Sequence, residues 1–333
     1  MLSRVAENLY WLGRYLERTE NLARLLDNAF QLELDAGLPM DDGEGPLDQL
    51  LDILSCRLDF EKYGEAGVTL GRNALLGWLT LERKSPHSIL SMVRFARENA
   101  RGTQEALSAE AWSQINRLYL QLNQPQQRER FWSAPTRFLD VAKRGCLLIA
   151  GTIESTLPRD EVYHFLQLGR HLERIDMTLR ILKSALAFHA AAPVLTGGIG
   201  GGSAGLIAEE WLNTTRWASL LQTCSAHEAY LRRYRSDIEP VGVLHFLFLE
   251  PCFPRSLVYG VSQSVQSLKG IDGQISGGPS PNEAERALGR LESELKYCDP
   301  SELLEQGIDK FLKRILEATN KVGGFISQTY FMH

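Results

Sequence analysis

The chain has 333 residues, 44% of them apolar, enough for a large buried core in one or two domains. Its net charge of −5, with no dominant basic tail or stripe, excludes a general attraction to nucleic acid or anionic lipid. Five cysteines without CxxC spacing, and Arg4, Glu7, Arg14, Glu17 and Arg18 so near the start, exclude a disulfide framework, a signal peptide and an N-terminal membrane span, and imply a cytoplasmic protein with reduced thiols.

Helical periodicity predicts a first helix from about Ser3 to Asp35, ended by Gly37, Pro39, Gly43, Gly45 and Pro46. Two shorter helices are expected at 47–60 and 68–81. Ser85 and Pro86 then read as the cap and first turn of a helix to Leu107, which carries Arg94, Arg97, Glu98, Asn99 and Arg101. Ser108 caps a helix to Leu122, and 123–130 reads as a polar connector. The apolar run 139–151 is too short for a bilayer and reads as a buried helix. Pro158 starts a second long helix ending near Ala191.

The segment 193–205, PVLTGGIGGGSAG, is a flexible loop or linker: no Gly-Lys-Ser/Thr follows it and no strand precedes it, as a phosphate loop requires. Helices follow at 206–222, 225–234 and 241–249. At Pro254, Arg255 and Ser256 a helix start with an arginine beside it could hold an anion, or could be an ordinary proline-initiated helix. A glycine-rich break at 270–281 precedes helices at 282–297 and 301–331. With no alternating strand pattern, the fold class is all-α, a multi-helix bundle.

The two long helices repeat one text. LGRYLERTENLARLL at 12–26 returns as LGRHLERIDMTLRIL at 168–182, so that Gly13, Arg14, Glu17, Arg18 and Arg24 match Gly169, Arg170, Glu173, Arg174 and Arg180, and Glu20 matches Asp176. Leu9, Leu12, Leu16, Ala23, Leu26 and Phe30 form one apolar stripe, and Phe165, Leu168, Leu172, Leu179, Leu182 and Leu186 form its match. On the polar face, Arg14 can pair with Glu17, Arg170 with Glu173, Glu20 with Arg24 and Asp176 with Arg180, while Arg18 and Arg174 lack a same-helix partner. Glu20 with Arg24 reads as an exposed surface pair. Six guanidiniums face four carboxylates, a positive surplus. Mid-helix glycine costs about 1 kcal/mol against alanine, so Gly13 and Gly169 imply close packing, with the two helices central and related by an approximate two-fold. The face is either an ion-pair ladder or a ligand site.

The order of GRYLER, FARENAR, GRHLER and CFPRSL along nearly the whole chain resembles the alpha-E family, an all-helical domain formerly of unknown function. The resemblance implies a single domain over 1–333, with halves near 1–155 and 156–333, and recurring glutamates at Glu17, Glu98 and Glu173. It also implies a circularly permuted ATP-grasp ligase as partner, sometimes a transglutaminase-like peptidase or a proteasome-like protein nearby, and hence work on a peptide or amide bond.

Three chemistries are compatible with these residues. In the first, the protein is a binding subunit whose Arg14, Arg18, Arg97, Arg101, Arg170, Arg174 and Arg255, with Glu98, hold a carboxylate or phosphate of a peptide intermediate. In the second, it forms or cleaves amides itself, with Glu17 or Glu173 as general base. His171 and the adjacent His227 and Glu228 are further acid–base candidates. The third is a metal–carboxylate bundle, for which Glu161 and His164 have the Glu-x-x-His spacing. There is only one such pair, and neighbouring guanidiniums repel a cation, so no metal and no cofactor are expected.

Overall fold

A computed structural model of the chain describes residues 1–36, 45–65, 70–191, 217–235, 238–275 and 281–332. The glycine-rich segment 193–205 lies outside them. The described residues are helical throughout, with no strand among them. In chain order the helices are α1 (Ser3–Ala36), α2 (Pro46–Ile53), α3 (Arg57–Glu65), α4 (Arg72–Thr80), α5 (Ile89–Arg101), α6 (Ala109–Leu122), α7 (Pro125–Phe131), α8 (Pro135–Thr156) and α9 (Glu161–Ala191). They continue with α10 (217–223), α11 (His227–Tyr234), α12 (Pro240–Leu249), α13 (Leu257–Ile275), α14 (Glu283–Lys296), α15 (Pro300–Gln306) and α16 (Ile308–Ile326), followed by a π turn over Ser327–Phe331.

The most extensive packing is between α1 and α9. On one side α5 and α8 flank α1, with α6 between them; on the other α13 and α16 flank α9, with α14 between them. Two four-helix sets therefore meet through their longest members. Both leucine stripes are buried, with Leu9, Leu12, Leu168 and Leu182 at 0% exposure.

Several sequence boundaries shift for local reasons. The helix expected over 47–60 breaks in two because Ser55 takes a left-handed conformation (φ 53°), with Cys56 N–H bonding back to Leu51 O at 2.9 Å. The cap of α5 is Ser88, whose Oγ accepts from Ser91 N–H at 3.1 Å; Ser85 sits one turn earlier and its carbonyl accepts from Ser88 Oγ. The helix expected to reach Leu107 ends at Arg101, with a separate 3₁₀ turn at Gln104–Ala106. The polar connector contains α7. In α8 only one face is buried, through Leu139, Ala142, Cys146 and Ile149, while Leu147 and Leu148 face solvent.

The crossing of α1 and α9 is closer than side chains allow. A Cβ on Gly13 would lie 2.2 Å from Leu166 O, and a Cβ on Gly169 would lie 2.1 Å from Tyr10 O, both rigid helix backbone. Alanine at either position forces the helices apart, an overpacking cost of about 1–3 kcal/mol that exceeds the gain of about 1 kcal/mol in helix propensity. We expect Gly13→Ala and Gly169→Ala to lower stability in urea unfolding. Gly289→Ala in α14, where nothing lies within 4 Å of the added carbon, should be neutral or stabilising.

Candidate functional site

At that crossing the polar faces of α1 and α9 turn toward each other instead of toward water. Glu17 and Glu173 are each 1% exposed. Arg174 grips Glu17 as a fork, Nε to Oε1 and Nη2 to Oε2, both at 2.7 Å, and Arg170 Nε adds a bond at 3.2 Å. Arg18 grips Glu173 in the same way at 2.5 and 2.8 Å, and Arg14 Nε adds a bond at 2.7 Å. The contacts are reciprocal: each helix supplies one glutamate and receives the other. The expected pairs Arg14–Glu17 and Arg170–Glu173 are therefore replaced by pairs across the crossing, where the fork fits a carboxylate better than a neighbour three residues away on one helix.

Glu20–Arg24 and Asp176–Arg180 do form along their own helices, at 2.9 and 2.8 Å. They are not surface pairs, since Glu20 and Asp176 are buried at 3% and 6% exposure. Arg255, from the turn before α13, joins them: Nη2 donates to Glu20 Oε1 at 3.1 Å, Nη1 to Asn21 Oδ1 at 2.6 Å, and its guanidinium lies 3.8 Å from Glu17. Seven guanidiniums thus meet four carboxylates.

Burial pushes both glutamates toward protonation, but the guanidiniums win. Beside Arg18 and Arg14, Glu173 is lowered to about 2, and Arg174, Arg255 and Arg170 likewise hold Glu17 well below the usual carboxylate range. Arg14 is raised despite burial by Glu173 and Tyr10. Burial lowers Arg255, with Arg174 and Arg24 adding to the effect, yet a guanidinium keeps its proton. His171 is lowered to about 3 by burial beside Arg174 and Arg170. It is a neutral, packed ring at ordinary pH, edge-on to Tyr259, and a poor acid–base group.

Of the other sequence candidates, Arg97, Glu98 and Arg101 stay on the outer side of α5. Arg97 pairs with Asn116 at 2.8 Å and Glu98 at 2.9 Å, and Arg101 reaches Glu98 at 2.5 Å. The structure does not bring them into the cluster. Glu161 and His164 gain no further ligands: among the described residues no group of three or more His, Cys, Asp or Glu is placed to hold a metal ion.

Two participants escaped the sequence reading. Arg180 Nη1 donates to Ser55 Oγ at 2.7 Å, and Arg24 Nη1 donates to Ser225 Oγ at 3.3 Å. Both serines are left-handed, at φ 53° and 51°, and each is followed by a back-bond closing the helix before it, Cys56 N–H to Leu51 O and Ala226 N–H to Leu221 O. The shared spacing of LLDILSC (50–56) and LLQTCSA (220–226) was the available signal.

The arginines differ in cover. Arg14 lies over Tyr10 and Trp11, with Nη1 on the Tyr10 hydroxyl at 3.0 Å. Arg170 instead borders a cavity of about 30 Å³ between α1, α8 and α9, lined also by Gly13, Glu17, Glu20, Gln167 and Cys146. Its volume suits one or two water molecules. Burial beside Glu20 and Glu17 pushes the Cys146 thiol well up, so it is not a ready nucleophile.

A family model described as a predicted alpha-helical domain with a conserved ER motif matches residues 1–331. Among curated relatives, uncharacterized proteins of Mycobacterium bovis and Mycobacterium tuberculosis are each 23% identical over 333 residues, covering 94% of this chain and 34% of their own length. The chain thus spans about a third of the curated relatives it matches. No solved structure matches. Among the described residues, no helix is long and apolar enough to cross a membrane.

The depressed carboxylates make acid stability a test of the clasp. A group with a lowered folded pKa contributes stability above its unfolded pKa, near 4.5, and loses it as pH falls through the folded value. For Glu173 that window runs from 4.5 down to about 2. We expect wild-type stability to fall steeply across this window. In Glu173→Gln, stability at pH 7 should drop by about 3–5 kcal/mol, because two buried guanidiniums lose their charge partner, and the acid limb should be shallower. Denaturant titrations at stepped pH measure both.

Proposed function

The chain belongs to the Alpha-E family, and from that premise we propose that it is a binding component, cytoplasmic, that acts with a circularly permuted ATP-grasp ligase in making or modifying a peptide or amide bond. Its arginine cluster holds an anionic group of the ligand. The observation that carries this reading is the seven-to-four excess of guanidinium over carboxylate at one helix crossing, with the edges of Arg18, Arg24, Arg170 and Arg180 still reaching solvent. Guanidiniums held by buried carboxylates are preorganised, so little side-chain entropy is lost when they take a carboxylate or phosphate. The Glu-Arg pairs of the two GRxLER helices, Glu17–Arg18 and Glu173–Arg174, form the frame of this site, and the halves 1–155 and 156–333 each contribute one.

The same geometry disfavours Glu17 or Glu173 as general base. A base near neutral pH needs a raised pKa and a free lone pair, whereas both carboxylates are held ionised and each oxygen already accepts from a guanidinium. They serve as anchors for the arginines. The match over only a third of longer relatives supports work beside other domains or subunits.

The test is ATP-dependent amide formation by the neighbouring ligase with and without this chain, alongside co-purification of the two. Product should require both proteins. Arg18→Gln should weaken the reaction about ten- to a hundredfold, the value of one charge-assisted contact. Product from this chain alone would instead support an enzyme in its own right.

A further inference from the structure

The two sides of the cluster differ in the turn that approaches each. Before α13 the sequence reads Phe253-Pro254-Arg255-Ser256, and before α5 it reads Ser85-Pro86-His87-Ser88. Each final serine caps its helix through the N–H three residues on, Tyr259 to Ser256 Oγ at 3.2 Å and Ser91 to Ser88 Oγ at 3.1 Å. The residue before each cap behaves differently. Arg255 reaches into the cluster and covers Glu20, whereas His87 turns away, with Nε2 3.1 Å from Asp59 Oδ2 and its ring against Trp78.

Two independent observations mark the consequence. Asp176, the counterpart of Glu20, is 6% exposed. Its Oδ2 accepts from Arg180 Nε at 2.8 Å, but Oδ1 is buried without a hydrogen-bond partner among the described residues. A buried carboxylate oxygen left without a donor is costly. On the other side the Glu20 carboxylate is met by two guanidiniums, Arg24 Nε at 2.9 Å and Arg255 Nη2 at 3.1 Å, both on Oε1. Second, Arg18 is 34% exposed, whereas its counterpart Arg174 is 8% exposed and donates to Pro254 O at 3.3 Å, covered by the turn that carries Arg255. One side of the cluster is closed by its own chain. Among the described residues the other is open and lacks one cation.

We propose that the open side, formed by Asp176, Arg18, Arg180 and Ser55, is the substrate site: Asp176, which has one guanidinium where Glu20 has two, takes a guanidinium or ammonium group on Oδ1, while Arg18 holds a carboxylate of the same molecule. The ligand class is an amino acid or a peptide end with a cationic nitrogen. This deepens the binding-component reading and rests on it, naming the amine partner of the amide bond. Oδ1 is enclosed, so entry turns the Arg180 side chain, which reaches solvent, outward, while Arg18 keeps its fork on Glu173. Ser55, exposed at the end of α2, holds Arg180 from the far side.

Isothermal titration of the full chain with L-arginine, agmatine and a doubly blocked arginine peptide tests the site. L-arginine is expected to bind at one per chain, and agmatine, which lacks the carboxylate, more weakly. Asp176→Asn should weaken both about ten- to a hundredfold, and Arg18→Gln should weaken L-arginine more than agmatine. His87→Arg supplies in cis the guanidinium that Arg255 supplies opposite, and should block binding while raising Tm. The blocked peptide binding as tightly as L-arginine would keep the cation site but assign it to an arginine side chain of a protein partner. No saturable binding of any probe up to about 10 mM, or unchanged affinity in a folded Asp176→Asn, would overturn the proposal. Agmatine binding needs neither ligase nor ATP. Its failure therefore removes this site alone, while a failed ligation assay with agmatine binding intact removes the ligase reading.

Discussion

The structure depends on two glycines that let α1 and α9 touch backbone to backbone. With Cβ atoms at Gly13 and Gly169 the helices would stand apart, and Arg18 and Arg174 could not close forks on the opposite glutamate. Contact at this point draws charges inside. Each buried ion costs several kcal/mol in lost hydration. Each pair returns roughly 4 kcal/mol at 4 Å in an effective dielectric near 20. The two terms are of similar size, so the clasp adds little net stability and acts instead on register. Sliding either helix by one residue would leave Glu17 and Glu173 buried without their forks, a cost of about 3–5 kcal/mol for each that adds to the loss of leucine packing on the stripe side.

Much of this was legible because it is periodic. Leucines every three to four residues marked the buried stripes, and a glycine repeated mid-helix where propensity opposes it marked the close approach. The positive surplus was also readable, since charge is counted without knowing geometry. What could not be read was which arginine meets which glutamate. Same-helix spacing makes Arg14–Glu17 plausible, and only the crossing distance shows that the partner across the interface offers both oxygens to a fork. For the same reason Glu20 looked like half of a surface pair, although Arg255, distant in sequence, buries it. Ser55 and Ser225 were missed because a left-handed helix end normally announces itself by glycine. Arg97, Glu98 and Arg101 show the converse error: an arginine-rich helix text in a suggestive motif that folds onto Asn116 and its own neighbours.

Repetition gives the molecule two similar charged frames, and the differences between them are where function can reside. On the side of Glu17, Arg174 and Arg255 spread their donors over Glu17, Glu20, Asn21 and the Pro254 carbonyl, and the turn at Pro254 covers Arg174. That half resembles a site already filled, with a side chain in the place of a ligand. It is rigid for the same reason, and through the shared crossing it fixes the position of Arg18 and Glu173 opposite. A binding site gains when its groups are held before the ligand arrives, because the ordering cost has been met in folding. The closed half therefore does structural work for the open one. Asp176, carrying a carboxylate oxygen that the described residues leave without a donor, is a point at which the second frame stops being a copy of the first.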